Sequence, residues 1–242
     1  MKHELRVLDL FSGIGGFSLG LKRAGGFRTV AYCEIEPYCQ GVLAARMEDW
    51  SLDTAPICSD ITKLDGTPLR GLVDLICGGF PCQDISIAGD GVGIEGQKSG
   101  LWTEYARLLR EIRPRFALIE NSPELANRGL DQLLSDLAEM GMDAVVGCIR
   151  ASSLGAKHRR ERMYVVAYAN GDGLQGGGLH RSAARLTAPS LDQLADWPPV
   201  SEPFGIRNGD GVSSRVDRTH AIGNAVVPQV IEWIGRRILE IA

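Results

Sequence analysis

The sequence predicts an α/β protein built on a doubly wound, mostly parallel sheet with a small loop-rich insert. Three observations predict it. Short apolar runs recur along the chain, segments with apolar residues at helical spacing separate them, and the alternation stops over a glycine- and proline-rich stretch that begins near residue 170. Strands alternating with helices imply parallel pairing with crossover helices covering both faces.

The runs Leu5–Leu10, Thr29–Cys33, Val73–Cys77, Phe116–Glu120, Ala144–Ile149 and Met163–Ala167 are rich in β-branched and apolar residues and read as buried strands. Between them, Leu101, Tyr105, Leu108, Leu109 and Ile112 repeat at helical spacing, as do Leu130, Leu133, Leu134 and Leu137. The stretch from Asn170 to Ser214 carries Gly171, Gly173, Gly176, Gly177 and Gly178, then Pro198, Pro199 and Pro203, and reads as loops. Val226, Val230, Ile234, Ile238 and Ile241 mark one face of a closing helix. Three segments follow: 1–169 as the main domain, 170–214 as the insert, and 215–242 as a return to the main domain.

With 242 residues, 44% hydrophobic and 23% charged, the chain suits one globular domain and excludes a disordered or fibrous protein. No apolar run approaches the roughly 18 residues of a membrane span, and Met1 to Glu4 lead straight into a strand, so a cytoplasmic protein without an export signal is expected. The six cysteines, Cys33, Cys39, Cys58, Cys77, Cys82 and Cys148, form no CxxC pair or Cys/His cluster. Free thiols are therefore expected, with no metal and no disulfide framework. A net charge of −4 counts against nucleic-acid binding, but local clusters count for it: Lys157, His158, Arg159 and Arg160 with Arg162, and Arg215 with Arg218.

Ligands of open parallel sheets sit at the carboxyl ends of the strands. The first strand runs into Asp9-Leu10-Phe11-Ser12-Gly13-Ile14-Gly15-Gly16, whose glycines let a ligand approach the backbone at a helix start. Such a turn also suits dinucleotide enzymes. Glu34 closes the next strand, where a carboxylate can accept from ribose hydroxyls, and Asp60 follows another short apolar run. Gly78-Gly79-Phe80-Pro81-Cys82-Gln83-Asp84-Ile85-Ser86 puts Cys82 in a loop at the same edge, the place for a nucleophile, whereas Cys77 and Cys148 read as buried structural thiols. Glu120-Asn121-Ser122-Pro123 brings a carboxyl group to that edge, although Asn121 or Ser122 could simply cap a helix. The arginines of His158-Arg159-Arg160-Glu161-Arg162 either line a solvated face or reach into the site from a strand end.

In order and spacing, DLFSGIGG, GGFPCQDIS, ENS, HRRER and IGNAVVP resemble the motifs of the cytosine-C5 DNA methyltransferase family, over most of residues 5–167 and 215–242. Two differ from the usual pattern: Glu120-Asn121-Ser122 stands for Glu-Asn-Val, and the HRRER run for Gln-x-Arg-x-Arg. Both keep the Glu and the paired arginines. The resemblance implies a Rossmann-like class I methyltransferase fold, S-adenosylmethionine as methyl donor, and double-stranded DNA as partner. It assigns catalysis to Cys82, Glu120, Arg160 and Arg162. It assigns donor binding to Phe11, Ser12, Gly13, Gly15, Gly16, Glu34, Ile35, Asp60, Ile61, Gly79, Pro81, Asn224 and Ala225. Substrate contacts fall to Pro81, Gln83, Ser86, Asn121, His158, Arg181, Arg185, Arg207 and Arg215, with His180 and Asn208 as further polar candidates.

The implied reaction adds Cys82 to C6 of a flipped-out cytosine, with Glu120 on the N3 and amino edge and Arg162 on O2; the glycine-rich segment from Ser86 to Ser99 would close over the base. A monomer is expected, with room for a second subunit. Two rival readings are an RNA (tRNA) cytosine-5 methyltransferase of the same fold, disfavoured because the insert holds no Cys-Phe-Thr, and a catalytically silent DNA-binding partner, disfavoured by intact Cys82, Glu120 and Arg162. The 46 residues from Asn170 to Arg215 are few for a reader of base edges, so a recognition site of about two to four base pairs is expected.

Overall fold

The computed structural model describes residues 4–81, 100–156, 158–169, 221 and 223–242. Among them seven strands form one sheet: β1 (Leu5–Leu10), β2 (Phe27–Cys33), β3 (Ile57–Cys58), β4 (Leu75–Gly79), β5 (Phe116–Asn121), β6 (Met142–Arg150) and β7 (Glu161–Ala169). The order across the sheet is β3-β2-β1-β4-β5-β7-β6. Neighbours from β3 to β5 pair parallel, whereas β7 runs antiparallel to both β5 and β6. That reversal brings the start of β7, with the arginines of the HRRER run, to the edge where β1, β4 and β5 end.

Period-two alternation divides the core into two layers. Leu5 and Val7 of β1, Leu75 and Cys77 of β4, and Phe116 and Leu118 of β5 face helices α1 (Gly16–Ala24) and, at the C-terminus, α6 (Pro228–Ile241). Leu8 and Leu10, Ile76, and Ala117 and Ile119 point the other way, against α3 (Gly100–Ile112) and α5 (Leu130–Glu139). Helices α2 (Pro37–Glu48) and α4 (Leu125–Arg128) complete the described set. The C-terminal helix lies tightly on α1, because Gly20 has no side chain: a Cβ there would come within 2.6 Å of Ile231 Cβ. The closing segment thus packs beside the first strand-to-helix turn.

Three expectations need correcting. The closing helix begins at Pro228, which suits the first helical position, so Val226 lies ahead of it while still joining the same core. The antiparallel pairings of β7 fit the expected mostly parallel sheet, but β6, at its edge, is half-buried along most of its length instead of fully buried. Cys148 is accordingly exposed, because its strand has a neighbour on one side only, whereas Cys77 is fully buried as expected. Helix α2, for which the sequence raised no expectation, shows no apolar stripe, and only Cys39 and Leu43 are buried on it. The insert and the segment from Cys82 to Ser99 lie outside the described residues.

Candidate active site

The first turn is held in a strained shape by its own hydrogen bonds. Phe11 takes φ of 51°, and Gly13 and Gly15 take 53° and 82°, the left-handed region that glycine tolerates and phenylalanine does not. Buried Ser12 fastens this turn to the end of β2: its amide donates to the Cys33 carbonyl at 3.1 Å, and its hydroxyl donates to the Asp9 carbonyl at 2.7 Å. Behind it, the Asp9 carboxylate accepts from the Ser18 hydroxyl at 2.5 Å and the Ser18 amide at 3.2 Å, capping α1 from the neighbouring strand. Asp9 is fully buried, and burial pushes its pKa up to about 7 against the opposing pull of Ser18 and Cys77.

Glu34, at the end of β2, is buried against this turn. One carboxylate oxygen accepts from Gly13 N at 2.6 Å and the other from Glu36 N at 2.8 Å. Each oxygen keeps a lone pair for a further donor. Next to it Ile35 is 67% exposed, an apolar side chain left in solvent at the sheet edge. Asp60 takes part differently: its Oδ1 accepts from the amide and hydroxyl of Thr62 at 3.0 and 2.7 Å, and Lys63 lies 3.3 Å from Oδ2. The Thr62 hydroxyl, then its amide, holds the Asp60 carboxyl below its ordinary pKa. Ile61 is buried behind it, while Ala225, half-buried, packs with Ile14, Cys39 and Ala221.

A second cluster forms where β4, β5 and β7 meet. Glu120 is 8% exposed and makes an ion pair with Arg162, Nε to Oε1 at 2.9 Å. Burial raises the pKa of Glu120, and the charges of Arg162 and Arg160 oppose the rise. Oε1 receives no well-aligned hydrogen bond among the described residues, so the carboxyl keeps capacity for a partner from outside. Its other oxygen lies over Gly79, where a Cβ would come within 2.5 Å. Asn121 donates from Nδ2 to the Phe80 carbonyl at 3.3 Å, holding the backbone that leads to Pro81. Phe80 rests on Trp102, with ring centroids 5.8 Å apart, and Trp102 in turn donates to Asp136 at 2.6 Å. This aromatic brace from α3, which sequence reasoning did not single out, fixes the strand end that carries Pro81.

Arg160 reaches across to the closing segment, donating to the carbonyls of Gly223 at 2.5 Å and Asn224 at 3.2 Å. The structure therefore ties the HRRER and IGNAVVP motifs together through Arg160, while Arg162 serves Glu120. Asn224 and His158 are exposed. Of the other expected site residues, Cys82, Gln83, Ser86, Arg181, Arg185, Arg207 and Arg215, with His180 and Asn208, lie outside the described residues.

A model of the C-5 cytosine-specific DNA methylase family matches residues 5–196. The chain belongs to that family. It is 34% identical over 169 residues to the type II methyltransferase M.Eco47II of Escherichia coli, covering 68% of this chain and 39% of that protein. With the type II methyltransferase M.CviJI of Paramecium bursaria Chlorella virus IL3A it shares 35% over 165 residues, 68% of this chain and 43% of the other. The chain spans about two fifths of the length of the curated relatives it matches. The crystal structure of the S. pombe Dnmt2 methyltransferase superposes with a TM-score of 0.59 at 21% identity, over 84% of this chain and 58% of that one, which supports the α/β methyltransferase fold alone. The methyl donor of this family is S-adenosylmethionine. The β1–β3 edge fits a nucleoside with a charged tail: a buried carboxylate with spare lone pairs at Glu34, an exposed apolar side chain at Ile35, and a turn whose glycines leave the backbone open.

Proposed function

We propose that this chain methylates C5 of cytosine in double-stranded DNA, with Cys82 as the nucleophile and the base flipped out of the helix. The observation that carries the reading is the buried Glu120–Arg162 pair at the carboxyl edge of the sheet, where Glu120 is the direct register partner of Gly79, two residues before Pro81. S-adenosylmethionine, held by Phe11, Gly13, Glu34, Ile35 and Asp60, supplies an electrophilic methyl group.

C5 of cytosine is too weak a nucleophile to be methylated while the ring stays aromatic. The Cys82 thiolate adds to C6, which moves electron density toward C5 and N3. Glu120, whose burial favours the protonated carboxyl, donates at N3 as that charge builds and accepts from the exocyclic amine. Arg162 holds Glu120 in place and presents its guanidinium to O2. After methylation, loss of the C5 proton and departure of Cys82 restore the ring. Arg160 anchors Gly223 and Asn224, which close the donor pocket from the C-terminal side, and its charge acts on Glu120 beside that of Arg162. The segments 1–169 and 215–242 make one catalytic unit in this reading, and the insert 170–214 reads bases.

The test is incubation with labelled donor and either duplex DNA of mixed sequence or total tRNA. Label in cytosine of the DNA is expected. Label in RNA alone would overturn the substrate, and donor binding without any transfer would support a silent DNA-binding partner instead.

A further inference from the structure

Cys33 and Cys58 end neighbouring strands and are direct partners in the parallel register of β2 and β3. Register partners project to the same face, from strands about 4.7–4.9 Å apart, inside the Cα separation of about 4.4–6.8 Å over which a disulfide closes. Both are free thiols. They are also close to one another: Cys58 raises the proton affinity of Cys33 through like charge and a side-chain hydrogen bond, on top of the larger effect of burial, which together push the Cys33 thiol up to about 12. The two are unequal in access. Cys33 is 3% exposed, whereas Cys58 is half-buried and its S–H donates to the Asp60 carbonyl at 3.3 Å. One thiol is thus placed to meet a small oxidant and the other to resolve the product, the arrangement of a two-cysteine redox site.

We propose that Cys33 and Cys58 are a reversible modification site, converted by a low-molecular-weight disulfide such as oxidised glutathione into a disulfide that crosslinks β2 to β3. Cys58 loses its proton and attacks one sulfur of the oxidant; the S–S bond of the oxidant breaks, and the departing glutathione takes up the proton. Cys33 then attacks the Cys58 sulfur of the mixed disulfide, its own proton leaves with the second glutathione, and the intramolecular S–S bond is complete. Two protein thiols are oxidised and one glutathione disulfide is reduced to two thiols.

The position gives the crosslink a consequence. Cys33 immediately precedes Glu34, the Glu34 amide donates to the Cys58 carbonyl at 2.9 Å, and the Ser12 amide donates to the Cys33 carbonyl. The disulfide removes the Cys58 S–H bond to the Asp60 carbonyl and draws together the two strand ends that carry Glu34 and Asp60. Losing one such bond and shifting its acceptor weakens donor binding about three- to tenfold, a consequence that rests on reading this edge as the donor pocket.

The test equilibrates the full chain in glutathione buffers of increasing oxidised fraction, quenches it with an alkylating agent, and maps its peptides by mass spectrometry without reduction. The expected product is a Cys33 peptide joined to a Cys58 peptide, two hydrogens lighter than the pair and separated again by dithiothreitol. Cys33→Ser leaves Cys58 as a glutathione adduct, and Cys58→Ser leaves Cys33 unmodified. Wild-type protein in which Cys58 carries only glutathione, pairs with another cysteine, or stays reduced overturns the proposal. Calorimetry with S-adenosylmethionine on the oxidised and reduced samples reads the coupling: equal affinity with the linked peptide present overturns the effect on binding. Absence of binding in the reduced sample overturns the donor-pocket reading and leaves the disulfide standing on its peptide.

Discussion

Gly79 offers the sharpest perturbation of the carboxyl site, because it is the residue on which the Glu120 side chain rests. A Cβ at Gly79 would meet Glu120 Oε2 at 2.5 Å. A carbon–oxygen contact settles near about 3.3–3.6 Å, so Gly79→Ala pushes the carboxylate away by roughly 1 Å. Its backbone is outside the left-handed region, so alanine adopts it without strain and the fold survives. A displacement of about 1 Å at a positioned catalytic group costs on the order of 100-fold in rate, or roughly 2.7 kcal/mol of barrier. The assay is initial-rate methyl incorporation into mixed-sequence duplex DNA, alongside donor binding by calorimetry and a thermal melt. The expected result is a kcat near one hundredth of wild type, with donor affinity within about threefold. Activity within threefold of wild type would refute the placement of Glu120. Weakened donor binding at unchanged kcat would return Gly79 to the donor pocket, where the sequence had put it.

Asp9→Asn tests the buried acid beneath the first turn. The raised pKa of Asp9 means that below about pH 4 it is protonated whether the chain is folded or not, while between about 4 and 7 only the folded chain keeps the proton; its contribution to stability is therefore full in acid and falls by roughly 1.4 kcal/mol per pH unit until about pH 7. Urea unfolding at pH 4.5 and 7.5 should show the stability gap between mutant and wild type shift by about 3 kcal/mol in favour of the mutant at the higher pH. A gap that does not move with pH would mean that Asp9 is ionised throughout. Glu120→Gln should lower the methylation rate at least about 100-fold, the scale of a lost acid–base contribution, and a loss under threefold would remove Glu120 from the chemistry. Methylome sequencing of expressing cells should show modified sites of about two to four base pairs, since each good bidentate base contact discriminates by roughly 1–3 kcal/mol and the insert is short. A single long modified motif of about six base pairs or more would contradict that.

The central strands were legible because burial on both faces demands largely apolar runs, unbroken over Phe116–Ile119 and interrupted only by Arg6 and Asp9 over Leu5–Leu10, and those runs lead into the residues that carry chemistry. Glu34 and Glu120 could be picked out for the same reason: each is the first polar group after such a run. What stayed hidden depends on neighbours far away in sequence. Helix α2 buries little and so leaves no periodic stripe, and β3, only two residues long, showed no more than the short apolar run before Asp60. The contact of Gly79 with Glu120 and the pairing of Cys33 with Cys58 arise only from the strand order. Arg160 and Arg162 looked alike in the sequence. The fold separates them, one to backbone carbonyls of the closing segment and the other to a carboxylate. The exposure of Cys148 follows from the antiparallel edge pair, which apolar patterning does not reveal.

The central claim is that Cys82 bonds to C6 of cytosine during the reaction. A duplex in which every cytosine carries fluorine at C5 tests it directly, since that carbon, once methylated, has no proton to lose and the adduct cannot resolve. With S-adenosylmethionine present, the account predicts a protein–DNA complex that survives denaturing electrophoresis, maps to the peptide containing Cys82, and disappears in Cys82→Ala. Methylation of ordinary DNA by a protein that forms no such complex, or a crosslink that maps to another residue, would contradict it.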